Sequence, residues 1–180
     1  MLTDTELEKL KYPVGKFVAP LAYDMDEVQH FINEIEALPA LLETTIKGLS
    51  GKALLHCYRP GSWNIKQIVH HIADSHINVY PRIKLALTED TPTIKPYDEN
   101  NWAEMVDANT DDMDASVQIL KGLHKRLTIL TRSLNEKELH REIYHPERKV
   151  NISIYNLLGM YAWHGKHHVH QIKTALQHKY

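Results

Sequence analysis

Along most of this chain apolar residues recur at three- and four-residue intervals, the spacing of amphipathic helices, in four long stretches. The first runs from about Asp24 to Lys47, with Val28, Phe31, Ile32, Ile35, Leu38, Leu42 and Ile46 near helical spacing. Pro39 inside it predicts a kink or a break. The second follows the turn Arg59-Pro60-Gly61-Ser62, and Asn64 with Gln67 has the form of a capping box. Ile65, Ile68, Val69, Ile72, Ile77, Val79, Ile83 and Leu87 continue it, and Pro81 is expected to bend it. A third stretch fits Asp112 to Ser133, with Val117, Leu120, Leu123, Leu127 and Leu130 on one stripe. Ser153 caps the fourth, which passes through Leu157, Leu158, Tyr161, Ala162, Val169, Ile172 and Leu176.

The intervening segments lack this period. Residues 1–23 contain Pro13, Gly15 and Pro20 and read as an irregular N-terminal arm. Thr88 to Asn109 is rich in Pro, Asp, Asn and Thr, and its length suggests a crossover or a loop that shapes a site. Tyr144 to Val150 reads as a short hairpin or turn, with strand confined to 142–152. No repeat, low-complexity tract or domain boundary is visible, so residues 1–180 read as one domain. The fold class is all-α: a four-helix bundle with a long crossover connection rather than a plain up-down-up-down arrangement.

Composition narrows the function classes. A 180-residue chain with 43% hydrophobic and 24% charged residues is that of a globular protein with its own core. The formal charge of −2 argues against a nucleic-acid partner. No apolar run approaches the roughly 20 residues of a membrane span, and the mixed-charge start shows no signal peptide. The expected location is the cytoplasm, and the lone thiol, Cys57, fits a reducing compartment and a structural role.

The unusual feature is the histidine content, thirteen in all. His70, His71 and His76 cluster on the second helix, and His164, His167, His168 and His170 on the fourth. His164 and His168 are four apart, so both rings leave one helix face and can grip one metal ion, as in the His-Glu-x-x-His zinc helix. Gly165 stands where that motif has its glutamate, which excludes the corresponding metalloprotease class. A third ligand must come from a facing helix, where His70 and His71 are both candidates. Three neutral imidazoles with a vacant fourth position match a catalytic zinc site.

At this point the residues resemble a known family. Tyr58-Arg59-Pro60-Gly61-Ser62-Trp63-Asn64 through His70-His71-Ile72-Ala73-Asp74-Ser75-His76 is similar to the DinB/YfiT-like metalloprotein superfamily, in its YfiT branch. So are Arg82 to Glu89, Pro92 to Glu99 with Trp102, Tyr144-His145-Pro146, and Tyr161-Ala162-Trp163-His164 with His167-His168. The resemblance implies a four-helix bundle holding one divalent metal per subunit, Zn2+ first and Ni2+ second, on His71, His164 and His168. It also implies a cytoplasmic homodimer and metal-dependent hydrolysis of a small-molecule substrate through activated water. Relatives transfer low-molecular-weight thiols such as bacillithiol or mycothiol, so thiol S-transfer is the alternative. A non-enzymatic metal-binding module and a dimeric scaffold with incidental metal are further readings.

The catalytic residues stay unassigned. Asp74 is a candidate to orient a ligand imidazole or to act as base. With three histidines present, a two-His-one-carboxylate iron site is set aside. His70 and His167 point about 100° away from the ligand face and are expected at the surface or behind the ligands. Arg59, Arg82 and Lys84 are candidates for an anionic substrate group. Trp102, Tyr97 and Tyr161 are candidates for a pocket wall, with Trp63 and Trp163 expected in the core.

Overall fold

The computed structural model describes residues 2–20, 22–178 and 180; Met1, Leu21 and Lys179 lie outside the described residues. Four long helices form the bundle: α2 (Met25–Ile46), α3 (Ile65–Thr88), α5 (Asp114–Arg132) and α7 (Ile154–His178). Shorter helices are α1 (Asp4–Lys11), α4 (Glu99–Ala103) and α6 (Glu136–Leu139). Strands β1 (Glu142–His145) and β2 (Val150–Ser153) make one antiparallel hairpin. No described helix is long and apolar enough to cross a membrane.

The long helices start where local chemistry places their caps. Asp24 accepts from the Asp26 amide. Asn64 and Gln67 close a reciprocal box with both bonds at 3.1 Å. Ser153 Oγ accepts from the Asn156 amide. The arm is not irregular throughout, because Thr3 and Glu6 cap each other and start α1 over Asp4–Lys11. Pro39 does not break α2, which stays helical on both sides of it.

Each of α2 and α3 packs against both α5 and α7, so α2 and α3 sit diagonally across the bundle. Consecutive long helices are therefore not all neighbours, unlike an up-down-up-down bundle. The diagonal steps fall at 47–64 and 133–153. The connection after α3 joins neighbours and is pinned to the hairpin, since the Ile94 amide donates to the Tyr144 carbonyl and the Tyr144 amide to the Pro92 carbonyl.

The apolar core is in two parts. One contains Ile32, Ile35, Val79, Ile83, Leu127, Leu157 and Leu158. The other contains Leu38, Leu42, Ile68, Ile72, Leu120, Val169 and Ile172. On α3, α5 and α7 the break between them falls at histidines: His76, His124, and His164 with His168. A buried polar layer thus divides the bundle.

Gly165 has a packing role. A Cβ placed there would lie 2.5 Å from Leu38 Cδ2, and Leu38 is itself buried. Alanine gains about 1 kcal/mol of helix propensity, but overpacking costs about 1–3 kcal/mol. Gly165→Ala is expected to lower stability by about 1 kcal/mol, read as a melting point reduced by about 2–4 °C. A stabilised variant would show that α2 and α7 are not in close contact there.

Candidate metal centre

His71 lies two turns into α3, and His164 and His168 lie one turn apart on α7. The bundle brings the three together: one ring nitrogen from each lies within 4.8 Å of the others. His71 Nε2 and His164 Nε2 are 3.1 Å apart. Two neutral lone pairs at that distance repel unless a proton or a cation lies between them. His168 has a defined orientation, because its Nδ1 donates to Gln171 Oε1 at 2.8 Å and leaves Nε2 as the lone-pair nitrogen. The Gln171 amide in turn donates to His167 Nε2 and to the Lys11 carbonyl, which ties the end of α1 to the site. Among the described residues, no fourth histidine, cysteine or carboxylate joins this group.

The three rings are held neutral. Burial, and then neighbouring imidazoles, push His71 down to about 4 and His164 and His168 well below the ordinary value of 6.5. Neutral imidazole is the form that ligates metal. The site opens on both sides of His164. A cavity of about 500 Å³ is lined by Ser75, Arg82, Tyr97, Arg148, Tyr161 and His164 among others. Another of about 600 Å³ contains all three histidines with Trp63, Arg59 and Trp163.

Other sequence candidates divide. Trp63 packs on the core yet also covers His71, with ring centres 4.6 Å apart. Trp163 stacks on His167 and donates to the Gly15 carbonyl, so it too lines the site. Tyr97 and Tyr161 line a cavity wall, whereas Trp102 packs on Tyr97 outside it. Arg82 Nη1 donates to Tyr161 Oη at 3.3 Å and makes no carboxylate ion pair among the described residues. Lys84 instead lies over the Tyr80 ring on an exposed face.

Asp74 orients no ligand imidazole; its carboxyl feels Asp107 and His70, and burial raises its pKa. A separation of three residues turns it about 60° from His71, enough to face the 3-10 turn at Asp107–Asn109. His70 is buried rather than at the surface, bonded to Ser116 Oγ at 2.8 Å and near the Thr110 carbonyl. His167 is buried as well, behind the ligand group. Burial raises the Cys57 thiol, as a structural cysteine requires. Gln171 and Arg148 were not singled out by the sequence, although Gln171 lies three residues beyond His168 on the same helix; His145, which lines the cavity with Arg148, entered only through the Tyr144-His145-Pro146 motif.

These features define a helical bundle with a three-histidine centre open to solvent cavities. Residues 34–172 match the DinB superfamily model, and the chain belongs to that family. A protein of Oceanobacillus iheyensis is 44% identical over 169 residues, 94% of this chain and 97% of that one. YfiT of Bacillus subtilis is 40% identical over 163 residues, 91% and 92% of the two chains. Both carry the name "Putative metal-dependent hydrolase". The solved structure of Bacillus subtilis YfiT, described as a four-helix bundle of unusual topology, superposes with a TM-score of 0.91 at 39% identity, covering 94% of this chain and 97% of that one. A mycothiol-dependent maleylpyruvate isomerase shares the fold alone, with a TM-score of 0.62 at 16% identity over 81% of this chain and 60% of that one.

The depressed pKa values set the sign of a pH effect in metal-free protein. His71 and His124 are both held near 4, against an ordinary 6.5 in the unfolded chain. Between those values the unfolded state binds more protons. The stability is therefore full above about pH 6.5 and is lost as pH falls toward 4. Unfolding free energy from denaturant titration is expected to drop by at least about 2 kcal/mol between about pH 7.5 and pH 5. An unchanged value would mean that these rings are not buried and neutral.

Proposed function

We propose that the chain is a metal-dependent hydrolase acting on a small molecule, with His71, His164 and His168 holding one divalent cation. The observation that supports this most directly is the convergence of three neutral ring nitrogens within 4.8 Å at the meeting of two cavities. The donor set suits Zn2+ best, with Ni2+ second: three imidazoles and a vacant corner are a catalytic zinc arrangement. When bound, such an ion supplies Lewis acidity, enough to bring the pKa of a coordinated water to about 7.

The protein's own side chains supply the rest. Gln171 fixes the His168 ring through Nδ1. Trp63 covers His71 and excludes water from one side of it. Arg82 and Arg148 face the cavity beside His164 and offer cationic partners for an anionic substrate group. Asp98, Glu99 and Glu147 are the carboxylates that line the same space; Asp98 is engaged in capping α4.

The test joins elemental analysis to an activity panel of esters, amides, and a low-molecular-weight thiol with an electrophile. About one metal per chain is expected, with turnover of an ester or amide. His71→Ala should lose the metal and reduce turnover by at least about 100-fold. Equal metal content and activity in that variant would overturn the assignment. Turnover confined to the thiol pair would replace hydrolysis by S-transfer on the same centre. Metal retention without turnover of any kind would leave a binding module.

A further inference from the structure

Two histidines outside the ligand group, His76 on α3 and His124 on α5, are fully buried, at 0% and 1% exposure. Nothing in the hydrolytic reading uses them. A buried imidazole is costly unless both nitrogens find partners, so the bonding of each ring has to be followed atom by atom.

The chain of partners starts at Pro39. Proline has no amide hydrogen, so the carbonyl four residues earlier, that of Ile35, has no helical donor at that position. His124 Nδ1 bonds to this carbonyl. A carbonyl only accepts, so His124 carries its hydrogen on Nδ1 and Nε2 is a lone pair. His124 Nε2 lies 2.9 Å from His76 Nδ1, which must then be the donor. His76 is left with a lone pair on Nε2, and this atom is buried without a partner. The ligand candidate His164 has the complementary problem. As a ligand through Nε2, the nitrogen facing His71, it carries its hydrogen on Nδ1, and Nδ1 is also buried without a partner. The His76 and His164 rings are neighbours, 5.5 Å apart centre to centre, and their two unpartnered nitrogens are not hydrogen-bonded to each other in this structure. The Tyr161 ring meets His76 edge-on at 5.0 Å and restricts its plane.

We propose that His76 and His124 are positioning residues that act on His164: a relay anchored on the Ile35 carbonyl presents the His76 Nε2 lone pair to His164 Nδ1–H and thereby holds His164 Nε2 as the metal-facing nitrogen. The inference rests on reading His164 as a ligand. It adds a partner that no carboxylate supplies, since none of the described carboxylates bonds the His164 ring. Hydrogen-bond partners behind a metal-bound histidine are worth about 10–100-fold in metal affinity.

The test has two arms. Long-range 1H–15N correlation spectra of the metal-free protein near neutral pH read the tautomers directly. His124 and His76 are both expected as Nδ1–H forms; His76 with its hydrogen on Nε2 overturns the relay. The second arm measures Zn2+ affinity by chelator competition. His76→Phe keeps a ring but removes the acceptor and should weaken binding about 10–100-fold. His76→Gln restores an acceptor near the Nε2 position and should stay within about threefold of wild type. Wild-type affinity in a folded His76→Phe, with His71→Ala abolishing binding, overturns this inference alone. Absence of Zn2+ binding by the wild-type protein overturns the ligand reading and this inference with it. Should His76→Phe not fold, the tautomer spectra of the wild-type protein decide.

Discussion

Burying imidazole inside a helical bundle is the constraint on which this structure turns. Each ring has one donor and one acceptor nitrogen when neutral, and apolar neighbours satisfy neither. The layer formed by His76, His124, His164 and His168, with His71 at its edge, separates two apolar clusters. Each matched nitrogen in such a layer fixes where its ring points, as Gln171 does for His168 and the Ile35 carbonyl for His124. One ring nitrogen from each of His71, His164 and His168 ends at one place, within 4.8 Å of the others.

The backbone is adapted to the layer. Pro39 withholds an amide from the Ile35 carbonyl, and His124 bonds to it instead. Gly165 lets α7 approach Leu38 on α2 while the neighbouring positions project imidazoles. Gln171 links His168, His167 and the end of α1, so the N-terminal helix is fastened to the site through one amide. The connection between α3 and α5, held to β1, places Tyr97 and Glu99 at the cavity beside His164.

Much of this was legible in the chain because the determining chemistry is local. Caps at Asp24, Asn64 and Ser153 declare the helix starts, and a four-residue spacing declares that His164 and His168 share a face. The choice between His70 and His71 was not local; periodicity left it open, the family resemblance favoured His71, and the fold sends His70 to Ser116 on α5. α1 was missed because eight residues carry little periodicity, although Thr3 and Glu6 form a capping pair. His124 was invisible as a polar partner, lying between Leu120 and Leu127 in an ordinary apolar stripe; its partners are 48 and 89 residues away in the chain. Asp74 misled for the converse reason: nearness in sequence to His71 suggested contact, while the helix turns its carboxyl toward Asp107.

Membership of the DinB superfamily and the arrangement of the imidazole layer lead to one central claim, that His71, His164 and His168 share a cation and leave a corner free. X-ray absorption at the zinc edge of the zinc-loaded protein addresses it most directly. Three imidazole nitrogens at about 2.0–2.1 Å with one further light-atom ligand are predicted. A shell of six oxygens, or one lacking imidazole scattering, would contradict it.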